Sequence, residues 1–385
     1  MKKLILVIAA VALIASPALA VDWNFYGSAR MATFYQDRDY NNGTSADLNN
    51  GPAWPGENDD DARVQWDLQG NSRLGATVRA ENVSGRFELG LKQGDGGGDA
   101  DVGTRRIFGT WDFGAAKLKI GKDYSPVSQF VSGQAYASDA GLLGNGAAYA
   151  GRNGQAALSF GGFEIAAITN NGGNIRGLDT GDQDIYFPKL EAGWGMSFDT
   201  WNFGVMGGFQ YFEYEDAGPN TEDVDVTSWI IGGDVGFNFG PAYVKAAASY
   251  GENWANAGWS GAVAAAAFDG DDDIDSITTT MACLIGGFKF TDQLTFEVGA
   301  GYNNNDSDVR GEDDSDVWAY YGQAVISMAP GVWIIPEAGY YNYGDEFGGT
   351  GKDAGTEFYL GAKWQIVAPG VWIIQIGRAS CRERV

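Results

Sequence analysis

The sequence predicts an all-β protein, a transmembrane antiparallel β-barrel of about sixteen strands, on three observations. Side-chain polarity alternates with period two from Val21 onward, links between the alternating runs are short and long by turns, and aromatic residues gather where the runs end.

The alternation is plain in the first run, DWNFYGSARMATFYQ. Trp23, Phe25, Gly27, Ala29 and Met31 share one face, and Asn24, Tyr26, Ser28 and Arg30 share the other. RVQWDLQ sets Val64, Trp66 and Leu68 against Arg63, Gln65, Asp67 and Gln69, and RFELGLK sets Phe87, Leu89 and Leu91 against Arg86, Glu88 and Lys92. The apolar face meets lipid or a core; the polar face meets water.

Turn-forming stretches (ENVSG, DFGAAK, SFGGFE, SFDTWN, NFGPAY, FTDQL, MAPGV) alternate with long polar links at 37–62, 94–103, 125–151, 171–185, 215–226, 256–276, 305–315 and 345–355. Tight periplasmic turns and extended outside loops are the pattern of an outer-membrane barrel. TEFYLGAKWQI is the last strand and makes the count even, which puts both ends of the barrel on the periplasmic side.

A soluble sandwich or propeller alternates in the same way. Two features favour the membrane. Phe198, Trp201 and Phe203, then Phe237, Phe239 and Tyr243, then Phe288 and Phe290 cluster at run ends, as interfacial girdles do. Polar faces also carry Arg73, Arg79, Glu81, Lys117 and Lys119, which a wet lumen hydrates but a dry core would bury at several kcal/mol per ion.

Composition removes several function classes. Histidine is absent, so Ser/His and Cys/His catalysis and His-ligated zinc are excluded, and no carboxylate or lysine constellation suggests an enzyme or calls for a cofactor. A net charge of -25 makes nucleic acid an unsuitable partner. Of the two cysteines, Cys283 and Cys381, only the first lies within the alternating region, where it reads as a small apolar filler.

The two ends read differently from the rest. Lys2 and Lys3, the apolar run from Leu4 to Ala15, Pro17, and Ala18 and Ala20 form a signal peptide over 1–20, which predicts export to the outer membrane and a barrel domain over 21–366. At the other end, residues 368–374 repeat 329–335 (APGVWII), and IGRASCRERV at 376–385 corresponds to a translated sequencing adapter. The expectation is that 367–375 is a duplicated fragment and 376–385 adapter read-through.

FYGSARMATFY, NSRLGATVRAENVSGRFELGLKQG and RIFGTWDFGAAKLKIGKDYSP, with the ending GAKWQI, resemble the trimeric general porins of Gram-negative outer membranes. The resemblance implies a sixteen-stranded homotrimer in outer-membrane lipid and lipopolysaccharide, passing small hydrophilic solutes and ions without chemistry. It also implies that the third long loop, here 125–151, folds into the lumen and narrows it.

On the wall, the same resemblance implies a ladder of basic residues, here Arg30, Arg73, Lys122 and Arg152, facing acids on that loop. The family's acidic P-E-F-G-G tip is missing; Asp139 is the loop's only acid, with Asp123 at its base. Independently, 13 of the 25 basic residues lie between 21 and 152, so the basic wall belongs to the first strands.

Acid is concentrated in ENDDDA (57–62), DGDDDID (269–275) and DSDVRGEDDSD (306–316). Asp271, Asp273 and Asp275 resemble a calcium loop faintly, without its Gly and distal Glu, so solvated loop faces and divalent-ion bridges to lipopolysaccharide phosphates both stay open. A second class also stays open: a structural or adhesive barrel with a plugged lumen and working acidic loops.

Overall fold

The computed structural model describes residues 21–39, 62–92, 101–170, 172–177, 182–217, 222–259, 265–268, 274–309, 312–345 and 353–367. The signal segment, the 376–385 tail, most of the first acidic run, and Asp271 and Asp273 lie outside them.

β1 (Asp22–Asp39) is followed by β2, which runs in two pieces, Ala62–Leu68 and Ser72–Ala80, and by β3 (Val83–Lys92) and β4 (Asp101–Asp112). β5 (Lys117–Tyr124), β6 (Arg152–Phe160) and β7 (Phe163–Ile168) are short, and β8 again comes in two pieces, Asp182–Asp184 and Lys189–Ser197. β9 (Trp201–Ala217), β10 (Glu222–Phe239), β11 (Ala242–Glu252) and β12 (Ile277–Thr291) are long. β13 (Leu294–Ser307), β14 (Ser315–Ala329), β15 (Val332–Asn342) and β16 (Thr356–Val367) complete the set.

Each strand pairs antiparallel with its neighbours, and β16 pairs with β1 from Ser28 opposite Val367 to Asp39 opposite Thr356, closing a sixteen-stranded barrel. Closure satisfies every edge, which a strand in hydrocarbon requires. Short and long links alternate as the sequence predicts. The Gly161–Gly162 turn between β6 and β7 has φ of 52° and 84°, the left-handed pair that a two-residue hairpin needs.

One link departs from expectation. The loop predicted at 215–226 shrinks to 218–221, because Phe212, Tyr214, Val224 and Val226 alternate on the inward face and extend β9 and β10 by pairing. Polar loop composition hid this period.

Exposed apolar residues alternate with buried polar ones around the wall. Trp66, Val64, Phe239 and Phe290 are exposed, whereas Gln36, Glu88, Glu297 and Glu337 are buried on the opposite face. The largest apolar cluster is therefore not between sheets; it joins Val131, Tyr136, Leu142 and Ala147 of the 125–151 segment to Phe34, Cys283, Ile285, Tyr321 and Tyr359 on inward strand faces. Cys283 serves there as the small filler its position suggests.

Candidate functional site

The 125–151 segment is held by inward-facing side chains from more than half of the barrel's strands. Val127 N–H donates to Glu191 Oε2 of β8 at 3.0 Å, and the Gln129 side chain donates to Gly233 O of β10 at 2.8 Å. Lys245 of β11 donates to Val131 O at 2.9 Å, and Gly133 N–H donates to Glu297 Oε1 of β13 at 2.8 Å. Ser132 bonds to Tyr321 of β14, and the Ala135 and Tyr136 amides both donate to Glu337 of β15. The segment thus reaches strands far around the wall from β5 and β6, where it begins and ends.

At its turn the backbone is left-handed: φ is 47° at Ala137, 64° at Ser138 and 63° at Asp139. Non-glycine residues hold such angles only where surroundings fix them, and functional sites are a common setting. Here the fixing groups are Asn71, which donates to Ser138 O, and Arg30 and Lys363, which both donate to the Asp139 carboxylate. Desolvation pushes that carboxyl up, but the charges of Lys363 and Arg30 outweigh it and hold it down at about 2.

Close approach to the wall depends on two glycines. A Cβ at Gly301 of β13 would lie 1.9 Å from Asn145 O, and one at Gly146 would lie 2.7 Å from the Gly301 Cα. The small-residue content of the segment serves this packing, as its composition suggests.

Two cavities flank the turn and share lining residues. A cavity of about 1360 Å³ extends from the short-turn end, where Gly161, Pro241 and Asp292 line it, and one of about 470 Å³ lies toward the long-link end, beside Arg105, Arg152 and Tyr343. Both are lined by Arg73, Tyr124, Phe130, Ser132 and Asp139.

Of the expected basic residues, Arg30 contacts Asp139, Arg73 lies 3.7 Å from Glu88, and Arg152 donates to Tyr124 Oη at 3.1 Å. Asp123 accepts from Arg106 at 2.6 Å and from Lys119 at 3.2 Å. Lys122 departs from expectation: it pairs with Ile107 and Gly154 and is two residues from Ile120, and Ile107, Ile120 and Gly154 are exposed on the outward face. Asp123 and Tyr124 line the larger cavity, whereas Lys122 lines neither cavity.

Among the basic groups that the sequence reading did not place are Arg105, Arg106 and Lys363, whereas Lys119 was already assigned to a hydrated polar face. Lys363 opposes the outward Phe358, Leu360 and Trp364, so it was visible in the alternation. Arg105 was not. A bulge in β4 opposite Glu88 and Leu89 inserts one residue, so that consecutive arginines both turn inward, Arg105 donating to Glu88 at 2.8 Å.

The inner face of β8 to β10 carries a second covering. Trp259 donates to Glu191 Oε1 at 2.9 Å and Lys189 donates to Ala257 O at 2.7 Å; separately, Arg176, in the link after β7, forms a two-pronged pair with Glu312, in the link after β13, at 2.6 and 2.8 Å. Asp275 lies in a two-residue strand, Ile274–Asp275, paired with Ala267–Phe268. Among the described residues no group of three or more acidic or cysteine side chains is placed to hold a metal ion.

No protein-family model matches this sequence, and no curated protein sequence does. Solved structures do match. The outer membrane channel DcaP of Acinetobacter baumannii superposes with a TM-score of 0.71 at 15% identity, over 92% of this chain and 99% of that one. The anion-selective porin of Comamonas acidovorans gives 0.55 at 11% identity, over 90% and 100%. The trimer form of OmpT, an outer membrane protein of Vibrio cholerae, gives 0.54 at 14% identity, over 90% and 99%. At such identities the likeness is one of fold, and the fold this chain carries, a closed sixteen-stranded antiparallel barrel, is that of the outer-membrane porins and channels.

Proposed function

We propose that the protein is a general porin of a Gram-negative outer membrane, a passive channel for small hydrophilic solutes and ions. The observation that carries this reading is the pair of cavities that share Arg73, Tyr124, Phe130, Ser132 and Asp139 in their linings, one toward each end of the barrel. In this reading 125–151 is the constriction loop inside the lumen, and Asp139 faces a wall built from Arg30, Arg73, Arg105, Arg152 and Lys363. Solutes pass by diffusion, and the protein supplies only a hydrated path and a field. The chain is exported through a cleaved signal, sits among outer-membrane lipid and lipopolysaccharide, and works as a homotrimer. The trimeric OmpT form and the anion-selective Comamonas porin are consistent with that assembly and that field.

A second reading, a structural or adhesive barrel with a plugged lumen, draws on the packing of Trp254 and Trp259 against Ile230 of β10 and on the Trp259 bond to Glu191 of β8. Single-channel recording in planar bilayers separates the two. Discrete conductance steps are expected; a refolded barrel that produces none would overturn the channel reading.

A further inference from the structure

The two cavities border only one side of the barrel. No residue from 165 to 237 and none from 244 to 288 lines either of them, so the inner faces of β8 and β9, and nearly all of those of β10 to β12, stand away from both. The side chains divide the same way. Inward positions on β2 to β5 carry Arg73, Arg79, Arg86, Arg106 and Lys119, as a wet wall does. Those on β9, β10 and β12 carry Phe212, Val226, Ile230 and Met281, each exposed at 1% or less. Apolar groups on a lumen wall are stable only where something keeps water off them.

That covering is the link after β11. Asn253 has φ of 52°, a left-handed angle that asparagine tolerates, and its side chain fixes the turn across the sheet. It donates to Thr227 O of β10 at 3.0 Å and accepts from the Ile277 N–H of β12 at 3.0 Å. Trp254 and Trp259 then pack with Ile230 and Met281, and with Val127 and Ala148 of the 125–151 segment. Between the two tryptophans, Asn256 O accepts from Gln210 of β9 at 2.8 Å, and the Asn256 amide donates to Asn174 O, in the link after β7, at 2.9 Å. A Cβ at Gly208 of β9 would lie 2.5 Å from the Trp259 ring, so the segment presses on the wall where only hydrogen fits.

Glu191 of β8 joins this segment to the 125–151 segment. One of its oxygens accepts from the Val127 N–H at 3.0 Å and the other from the Trp259 indole at 2.9 Å. Lys189, 3.4 Å from Glu191, donates to Ala257 O at 2.7 Å. Moving either segment would strand part of a buried charge pair, so each fixes the other.

We infer that residues 253–259 are a fixed partition of the lumen, with Trp254, Trp259 and Glu191 as its positioning residues. The partition closes the β8 to β12 side and confines passing solutes to the side lined by Arg73, Arg105 and Lys363. It rests on the channel reading, and it makes the 253–259 segment a determinant of which solutes pass without placing it on their path.

The test is labelling of single cysteines in the full chain, refolded in detergent on a Cys283→Ala, Cys381→Ser background, with sulfonatoethyl methanethiosulfonate and the added mass as readout. Thr77→Cys and Ser132→Cys, at cavity-lining positions, are expected to be modified. Ser228→Cys, at a fully buried inward position in register with Gln210, is expected to react at least about tenfold more slowly, as a group reached only through local opening does. With Trp254→Ala and Trp259→Ala added, Ser228→Cys is expected to label as fast as Thr77→Cys. Single-channel conductance of that variant is expected to rise about twofold, since current follows the open cross-section of a wet pore. Fast labelling of Ser228→Cys beside the intact segment overturns the proposal. So does a heat-modifiable tryptophan double variant that keeps Ser228→Cys sheltered and its conductance unchanged. If the double variant does not fold, the labelling rates beside the intact segment decide alone. Labelling needs no current, so a chain that labels as expected and conducts nothing counts against the channel and leaves the partition standing.

Discussion

Tyr136 stacks face to face on Tyr359, ring centroids 3.7 Å apart and planes 10° from parallel, and this contact ties the 125–151 segment to the last strand of the barrel. The Tyr136 hydroxyl also donates to Glu357 and accepts from Gln36, and Phe34 meets the ring edge-on. Replacing Tyr136 with Ala removes stack and hydroxyl together and is expected to cost about 3–5 kcal/mol, the usual loss for a buried aromatic. Tyr136→Phe keeps the stack and should cost about 1–3 kcal/mol for the groups left unpaired. Urea unfolding in detergent measures both. Noisy, enlarged conductance in the Ala variant alone would show that the stack holds the segment in place; equal conductance in both variants would show that it does not.

Asp139 gives a pH signature whose sign is fixed by its partners. Lys363 and Arg30 overcome desolvation and depress its folded pKa to about 2, below the unfolded value of about 3.9. A depressed acid stabilises above its unfolded pKa and loses that contribution as pH falls through the folded one. The contribution, about 2 kcal/mol, is expected to be constant from about pH 7 to about pH 5 and to disappear toward about pH 2. The stability gap between the unmodified chain and Asp139→Asn should therefore close over that window. A gap that closes nearer neutrality would mean that the ion pairs are not formed.

In the channel reading, selectivity follows from which basic residues line the cavities. Arg73 lines both cavities and Arg105 the smaller one, whereas Lys122 lines neither. Fields at a narrow neck act at short range, while acids on exposed loops are screened beyond a Debye length of about 8 Å in physiological salt. Arg73→Ala with Arg105→Ala is expected to move permeability toward cations at every salt concentration. Lys122→Gln is expected to leave it unchanged. Reversal potentials across a KCl gradient read both, and a shift from Lys122→Gln would return that residue to the pore.

The strands were legible because lipid on one side and water on the other impose period two over whole runs, as DWNFYGSARMATFYQ shows in β1. The turns were legible because only certain residues make them, as in the Gly161–Gly162 pair. The charged wall was legible only where register was regular. Lys119 was placed on a hydrated face by its parity, Lys363 could have been found in the same way, and the misplacement of Lys122 shows the cost of matching motifs without it. Arg105 could not have been found, since a bulge has no signature in RRIFGTWD. Nor could the pairing of Asp139 with Lys363, 224 residues apart, which only barrel closure creates.

The last prediction concerns how tightly the 125–151 segment lies against the wall. Gly301 faces Asn145 O so closely that an added Cβ would sit 1.9 Å from it, well inside contact distance, and both partners are backbone. A backbone contact of this kind cannot be relieved by turning a side chain. Gly301→Ala must therefore move either β13, held by pairing with β12 and β14, or the segment, held by fewer backbone bonds. The segment is the part expected to yield, with a loss of about 1–3 kcal/mol, as for other overpacked sites. Gly286→Ala on β12 is the matched control, because nothing lies within 4 Å of its added Cβ. Conductance should rise in Gly301→Ala and not in Gly286→Ala, with both barrels still heat-modifiable. A stable Gly301→Ala variant with unaltered conductance would mean that the segment does not press on β13, and that the junction of the two cavities is set by the wall alone.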